Sequence, residues 1–108
     1  MAKEQLKTLT EPMYYILLSL TTPHHGYGIM QNVENITSQR VRIGAGTLYA
    51  LLSRFEKEGF IVRQSDDDRR KNYVLTAKGK TLLYNEFERI NKLVSDGKKI
   101  LRRGDCDE

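Results

Sequence analysis

Apolar positions along this chain recur at helical spacing over four stretches, interrupted once by two short apolar runs. Leu9, Met13, Ile16, Leu17 and Leu20 predict a first helix, with Tyr14, Tyr15 and Leu18 widening its apolar surface. Thr10 is placed to cap it, and Glu11 and Pro12 suit its first turn, where a missing amide costs little. Ile29, Met30, Val33 and Ile36 predict a second helix with these residues facing inward, entered through the turn His24-His25-Gly26-Tyr27-Gly28. Leu48, Leu51, Leu52 and Phe55 follow the i, i+3, i+4, i+7 rule and predict a third, stopped by Gly59 in a left-handed conformation. Phe60-Ile61-Val62 and Tyr73-Val74-Leu75 then read as the two arms of a hairpin, and Val41 and Ile43 as a brief third strand beside it.

The polar positions give these elements a use. Thr47, Tyr49, Ala50, Ser53, Arg54 and Lys57 share the outer face of the third helix, all of them small, hydroxyl-bearing or cationic. Gly44 and Gly46 at its start allow backbone amides to come close to a phosphate. The hairpin tip is Asp66-Asp67-Asp68 followed by Arg69-Arg70-Lys71. A helix with a hydrogen-bonding outer face fits the DNA major groove, and a hairpin with a cationic flank reaches the neighbouring backbone. The expected fold is therefore mainly α with a small β-hairpin: a winged helix-turn-helix over residues 9–76, after a flexible lead-in at 1–8.

Thr76 caps the last predicted helix, over 77–101, where Leu83, Phe87, Ile90, Val94 and Leu101 step by alternating fours and threes with one gap at Gly97. Leu93 and Ile100 extend this seam, while Glu86, Glu88, Arg89, Lys92, Asp96 and Lys99 make the opposite, solvated face. A lone chain would leave the seam wet, at about 25 cal/mol per Å². A homodimer built on it, with Met13, Tyr14 and Leu17 of the first helix joining, is the expected remedy. It would present two recognition helices about 34 Å apart, the spacing of a palindromic site. Residues 102–108 read as a disordered tail.

Charge sharpens the picture. Net charge is +4, but Arg40 to Lys80 holds ten Lys/Arg against five Asp/Glu, leaving eight against nine elsewhere. The excess lies where the reading elements lie, which is the footprint of a polyanion partner. Other classes lose support. The longest apolar run, Met13 to Leu18, is far short of a membrane span, and the polar start argues against a secretory signal, so the expected compartment is the cytoplasm. The single cysteine, Cys106, offers neither an intramolecular disulfide nor a cysteine-rich zinc site. His24 and His25 are adjacent and point apart, so a structural turn is favoured over a metal site. No catalytic constellation, metal or cofactor is expected. An interaction module on the same fold is the alternative, and it would show an eroded outer face on the third helix.

The order EPMYYILLSL, PHHGYGIMQ, GAGTLYALLSRFEKEGFI and DDDRRKNYVLTAKGK resembles the PadR family of bacterial transcriptional regulators from about Leu9 to Leu101. In length it is similar to the short subfamily with a single C-terminal dimerisation helix. The resemblance implies a homodimeric repressor that leaves double-stranded DNA when a small aromatic or hydrophobic effector binds. It implies DNA contacts from Thr47 and Tyr49, with Arg54 nearby, phosphate contacts from Arg69, Arg70 and Lys71, and support from Tyr27. Two features depart from the pattern. Gly44 and Ala45 stand where many relatives have Ser and Pro, and with no tryptophan any effector clamp must use Tyr14, Tyr15, Tyr84 or Phe87.

Overall fold

The computed structural model describes residues 8–65 and 71–107, the side chains of 65, 71 and 103–107 excepted. Helices α1 (Glu11–Ser19), α2 (Gly26–Ile36) and α3 (Ala45–Lys57) lead to strands β1 (Ile61–Ser65) and β2 (Lys71–Leu75), then to helix α4 (Ala77–Asp107). The strands pair antiparallel, with Ile61 opposite Leu75 and Ser65 opposite Lys71.

Local chemistry explains the boundaries. Thr10 Oγ1 accepts the Met13 amide at 3.4 Å and starts α1, with Pro12 in its first turn. His25 Nδ1 accepts the Gly28 amide at 3.2 Å and starts α2. His24 turns the other way, its Nδ1 2.9 Å from the Ser19 carbonyl, so the two histidines serve the turn as the sequence suggests. Gly59 (φ +83°) ends α3. Its amide donates to the Glu56 carbonyl and that of Phe60 to the Phe55 carbonyl, while the two phenylalanine rings meet edge to face at 6.5 Å. This is a Schellman ending with its hydrophobic contact.

One core collects Ile16, Leu17 and Leu20, Ile29 and Val33, Leu48, Leu52 and Phe55, the inner hairpin residues Ile61, Tyr73 and Leu75, and Leu82 and Leu83 of α4. Only the start of α4 joins it. Beyond Glu86 every described apolar side chain of α4 except half-buried Ile90 is exposed. The radius of gyration, 16.5 Å, accordingly exceeds the roughly 13 Å of a compact domain this size.

The structure departs from the sequence expectation at four places. Val41 and Ile43 form no strand: Thr37 Oγ1 captures the Val41 amide at 3.1 Å, and Ile43 is buried just before α3. The third hairpin partner is His24, which exchanges two backbone hydrogen bonds with Tyr73 at 2.8 and 3.1 Å. Ile36 faces solvent, and the next residue, Thr37, is buried, its hydroxyl donating to the Val33 carbonyl at 2.9 Å. Backbone helix continues past Leu101 to Asp107. Finally, Glu86 does not lie on a solvated face. It is 1% exposed. Its carboxylate accepts the Leu9 amide at 2.8 Å and two Arg89 N–H groups at 2.8 Å each.

α3 and α4 meet at a shared junction. Thr76 Oγ1 accepts the Gly79 amide at 3.0 Å, capping α4, and donates to the Gly59 carbonyl at 2.7 Å. The Thr76 amide donates to the Phe60 carbonyl at 3.0 Å. Lys78 Nζ donates to the Glu58 carbonyl at 2.9 Å and sits 5.0 Å over the Phe60 ring.

A Cβ on Gly79 would run into the Phe60 carbonyl and the Leu75 side chain. Gly79→Ala should therefore lower stability by about 1–3 kcal/mol in urea unfolding, although alanine is the better helix former. Arg89 first, then the Leu9 amide, hold the Glu86 carboxyl below its ordinary value against the opposing effect of burial. A depressed carboxylate stabilises the fold above its unfolded pKa of about 4.3, and this is lost as pH falls through the lower folded value. Glu86→Gln should cost about 1.5–3 kcal/mol at pH 7. The gap from the parent chain should close in unfolding curves taken at progressively lower pH, below about 4.

Candidate nucleic-acid interface

The start of α3 is built to leave its backbone accessible. Gly44 is its cap residue and makes no side-chain hydrogen bond to the helix. Ala45, Gly46 and Thr47 are exposed, and space beside Gly44 and Gly46 is open. The first amides of a helix are unsatisfied by the helix itself and carry the positive end of its dipole. One turn on, Tyr49 is 50% exposed. Its ring lies across Gly26 at the start of α2, where any side chain would collide with the phenol. Tyr27, next in the chain, is 61% exposed, and its hydroxyl accepts from Gln31 Nε2 at 3.2 Å. The α2–α3 crossing thus brings Tyr49 against Gly26, the residue before Tyr27.

Arg54 lies further along α3, its Nε donating to Glu58 Oε2 at 2.8 Å. Arg69 and Arg70 lie outside the described residues, as does the aspartate run before them. Lys71 opens β2, paired with Ser65. A cation not singled out from the sequence sits between helix and hairpin: Arg63 of β1, whose Nε donates to Glu56 Oε2 of α3 at 2.7 Å. That hydrogen bond, then the charge of Glu56, strengthens the hold of Arg63 on its proton. Opposite Arg63, Tyr73 is pushed up chiefly by burial, with Arg63, Glu56 and Tyr49 all within its electrostatic reach. The sequence signal was slight, a single arginine in the strand IVRQS.

The residues expected at a dimer contact divide. Met13, Leu17 and Leu83 are buried in the chain's own core. Tyr14 and Ile90 are half-buried, and Phe87, Val94 and Leu101 are exposed. The effector candidates divide too. Tyr84 and Phe87 line a groove of about 390 Å³ between α1 and α4, with Tyr14, Leu18 and Leu83 as further walls and Lys80 as a cation. Tyr15 is absent from that lining; its hydroxyl takes a hydrogen bond from Arg40 at 2.8 Å, and Arg40 also pairs with Glu11 at 3.0 Å. Among the described residues no cluster of His, Cys, Asp or Glu has the grouping of a metal site, and no helix is long and apolar enough to cross a membrane.

Three helices, a two-stranded hairpin against the third, and a polar outer face on that third helix define a winged helix-turn-helix protein. The profile of the transcriptional regulator PadR-like family matches residues 16–85, and the chain belongs to that family. An uncharacterized protein of Lysinibacillus sphaericus is 37% identical over 70 residues, 61% of this chain. The match spans 64% of that relative, a little under two thirds of its length. A transcriptional regulator from Clostridium thermocellum has a similar structure, with a TM-score of 0.70 at 24% identity over 84% of this chain and 92% of that one. A PadR family transcriptional regulator from Eggerthella lenta gives 0.68 at 26% identity, over 82% and 80%.

The contact at Gly26 generates a prediction. Gly26→Ala should displace the phenol end of the half-exposed Tyr49 ring rather than the core, leaving stability within about 0.5 kcal/mol. Its affinity for double-stranded DNA should fall as far as that of Tyr49→Ala, read side by side in a mobility-shift titration.

Proposed function

We propose that this protein is a homodimeric, sequence-specific DNA-binding regulator of transcription, a repressor that a small hydrophobic or aromatic effector removes from a palindromic operator. The observation that carries this reading is the pairing of an exposed reading surface with an uncovered apolar stripe on a projecting helix. Phe87, Leu93, Val94, Ile100 and Leu101 are each about half exposed or more, up to 70% at Leu101. So continuous an apolar face is the mark of an interaction surface. A second copy of α4 satisfies it symmetrically, and α1 lies beside it to widen the contact. Dimerisation then presents α3 twice, with Thr47 and Tyr49 in the major groove and Arg54 and the hairpin cations, Arg69, Arg70 and Lys71, at the flanking phosphates. The groove lined by Tyr14, Tyr84 and Phe87 supports the effector part: it is apolar, has a cation in Lys80, and lies against the same stripe.

Selection of bound duplexes from a random pool should return a palindrome with half-sites about one helical turn apart. Val94→Glu places a charge on the exposed stripe without entering the core. Light scattering should find this variant monomeric with its helical circular dichroism intact, and its operator affinity at least about tenfold weaker as the two half-sites lose their linkage. A parent chain that runs as a single subunit, or binds no duplex at low salt, overturns the proposal. Hydrophobic aromatic compounds that raise the melting temperature and release the shifted duplex support the effector role.

A further inference from the structure

The arginines on the described part of the reading surface share an arrangement. In each, among the described residues, a carboxylate engages Nε alone: Glu58 on Arg54 at 2.8 Å, and Glu56 on Arg63 at 2.7 Å. The Arg63 pair is the more informative because it spans two elements, β1 and α3. Arg63 lies opposite Tyr73 in the hairpin, and Tyr73 senses both members of the pair as well as Tyr49. The guanidinium, 45% exposed, is thus held between recognition helix and hairpin by its pair with Glu56.

We propose that Arg63 is a DNA phosphate-binding residue and that Glu56 is its positioning residue. The inference rests on the DNA-binding reading above. A guanidinium has five N–H donors in a fixed plane. With Nε spent on Glu56, the terminal amino groups remain to grip a phosphate in the forked geometry that arginine offers and lysine does not. Glu56 holds the long side chain in place before DNA arrives, so less rotamer freedom is lost on binding. The pair also ties β1 to α3, giving the phosphate contact a fixed distance from the groove-reading face.

This assignment inverts a simple expectation. Glu56 is an anion on a surface meant for a polyanion, and electrostatics alone says that removing it tightens binding. Positioning says the reverse. At near-physiological salt, where charges beyond about 8 Å are largely screened, Glu56→Ala should weaken duplex affinity about threefold to tenfold, the scale of ordering one long side chain. Arg63→Ala should weaken it by about tenfold and lower the slope of log affinity against log salt by about 0.9, one phosphate's worth. Arg63→Lys keeps the charge and should retain the slope yet lose affinity. In Glu56→Ala/Arg63→Ala, the glutamate change should bring no further loss.

Thermal unfolding and light scattering on each variant separate a folding defect from a binding one. Glu56→Ala that binds as tightly as the parent, or more tightly, overturns the positioning role. An unchanged salt slope in Arg63→Ala overturns the phosphate contact. If the parent chain itself binds no duplex, the DNA-binding reading fails instead, and the two failures are told apart by that control.

Discussion

Everything that α3 presents to a partner depends on how its C-terminal end is fastened to the start of α4. Thr76 fastens it from three directions at once, through its own amide, its hydroxyl proton and its hydroxyl oxygen. Each of these satisfies a group that would otherwise be an orphan at a helix end. Lys78 adds the Glu58 carbonyl to the set. Two helix termini thus share one network, with Gly79 packed directly on the Phe60 carbonyl because no side chain fits between them. Close packing of this kind tolerates few intermediate arrangements. The end of α3 and the start of α4 are therefore joined by direct hydrogen bonds and packing rather than by a free linker.

The second fastening point lies further along the same face of α4. Glu86 is buried against the chain entering α1, and burial of a carboxylate is favourable only when its oxygens are fully engaged. Here the Leu9 amide and the Arg89 fork supply the partners. One turn of α4 earlier, Leu82 and Leu83 enter the core. α4 is consequently held by about three turns, and the remainder projects with its apolar stripe uncovered. The groove beside Tyr84 and Phe87 lies where the held part gives way to the projecting part. Its walls come from both α1 and α4.

Local rules made much of this legible from sequence. Thr10 and Thr76 as caps, Gly59 as a left-handed stop, and the stripe Leu48, Leu52 and Phe55 all follow from chemistry within a few residues. The features that escaped depend on distant partners. Glu86 sits at a position whose sequence neighbours read as solvated, and its amide partner lies 77 residues away. Thr37, the C-cap of α2, is buried where the periodicity predicts Ile36, and its hydroxyl satisfies itself on the Val33 carbonyl. The third hairpin partner went to His24 because the turn after α1 delivers that residue to the free edge of β2, while Thr37 withholds the Val41 amide. Neither choice is encoded in strand propensity.

The same distinction governs the charges. Counting basic residues assigns the proposed reading surface to one stretch of the chain, but a count treats each arginine as an independent unit charge. Arg54 and Arg63 are each paired with a glutamate, which cancels much of their long-range field while fixing their planes. A surface assembled this way sacrifices attraction at a distance for geometry at contact. Non-specific attraction scales with free charge, whereas register on a duplex requires donors that are already aimed. On the DNA-binding proposal, the glutamates in GTLYALLSRFEKEGF would belong to the reading surface as much as the arginine does, each by holding the plane of the side chain it pairs with.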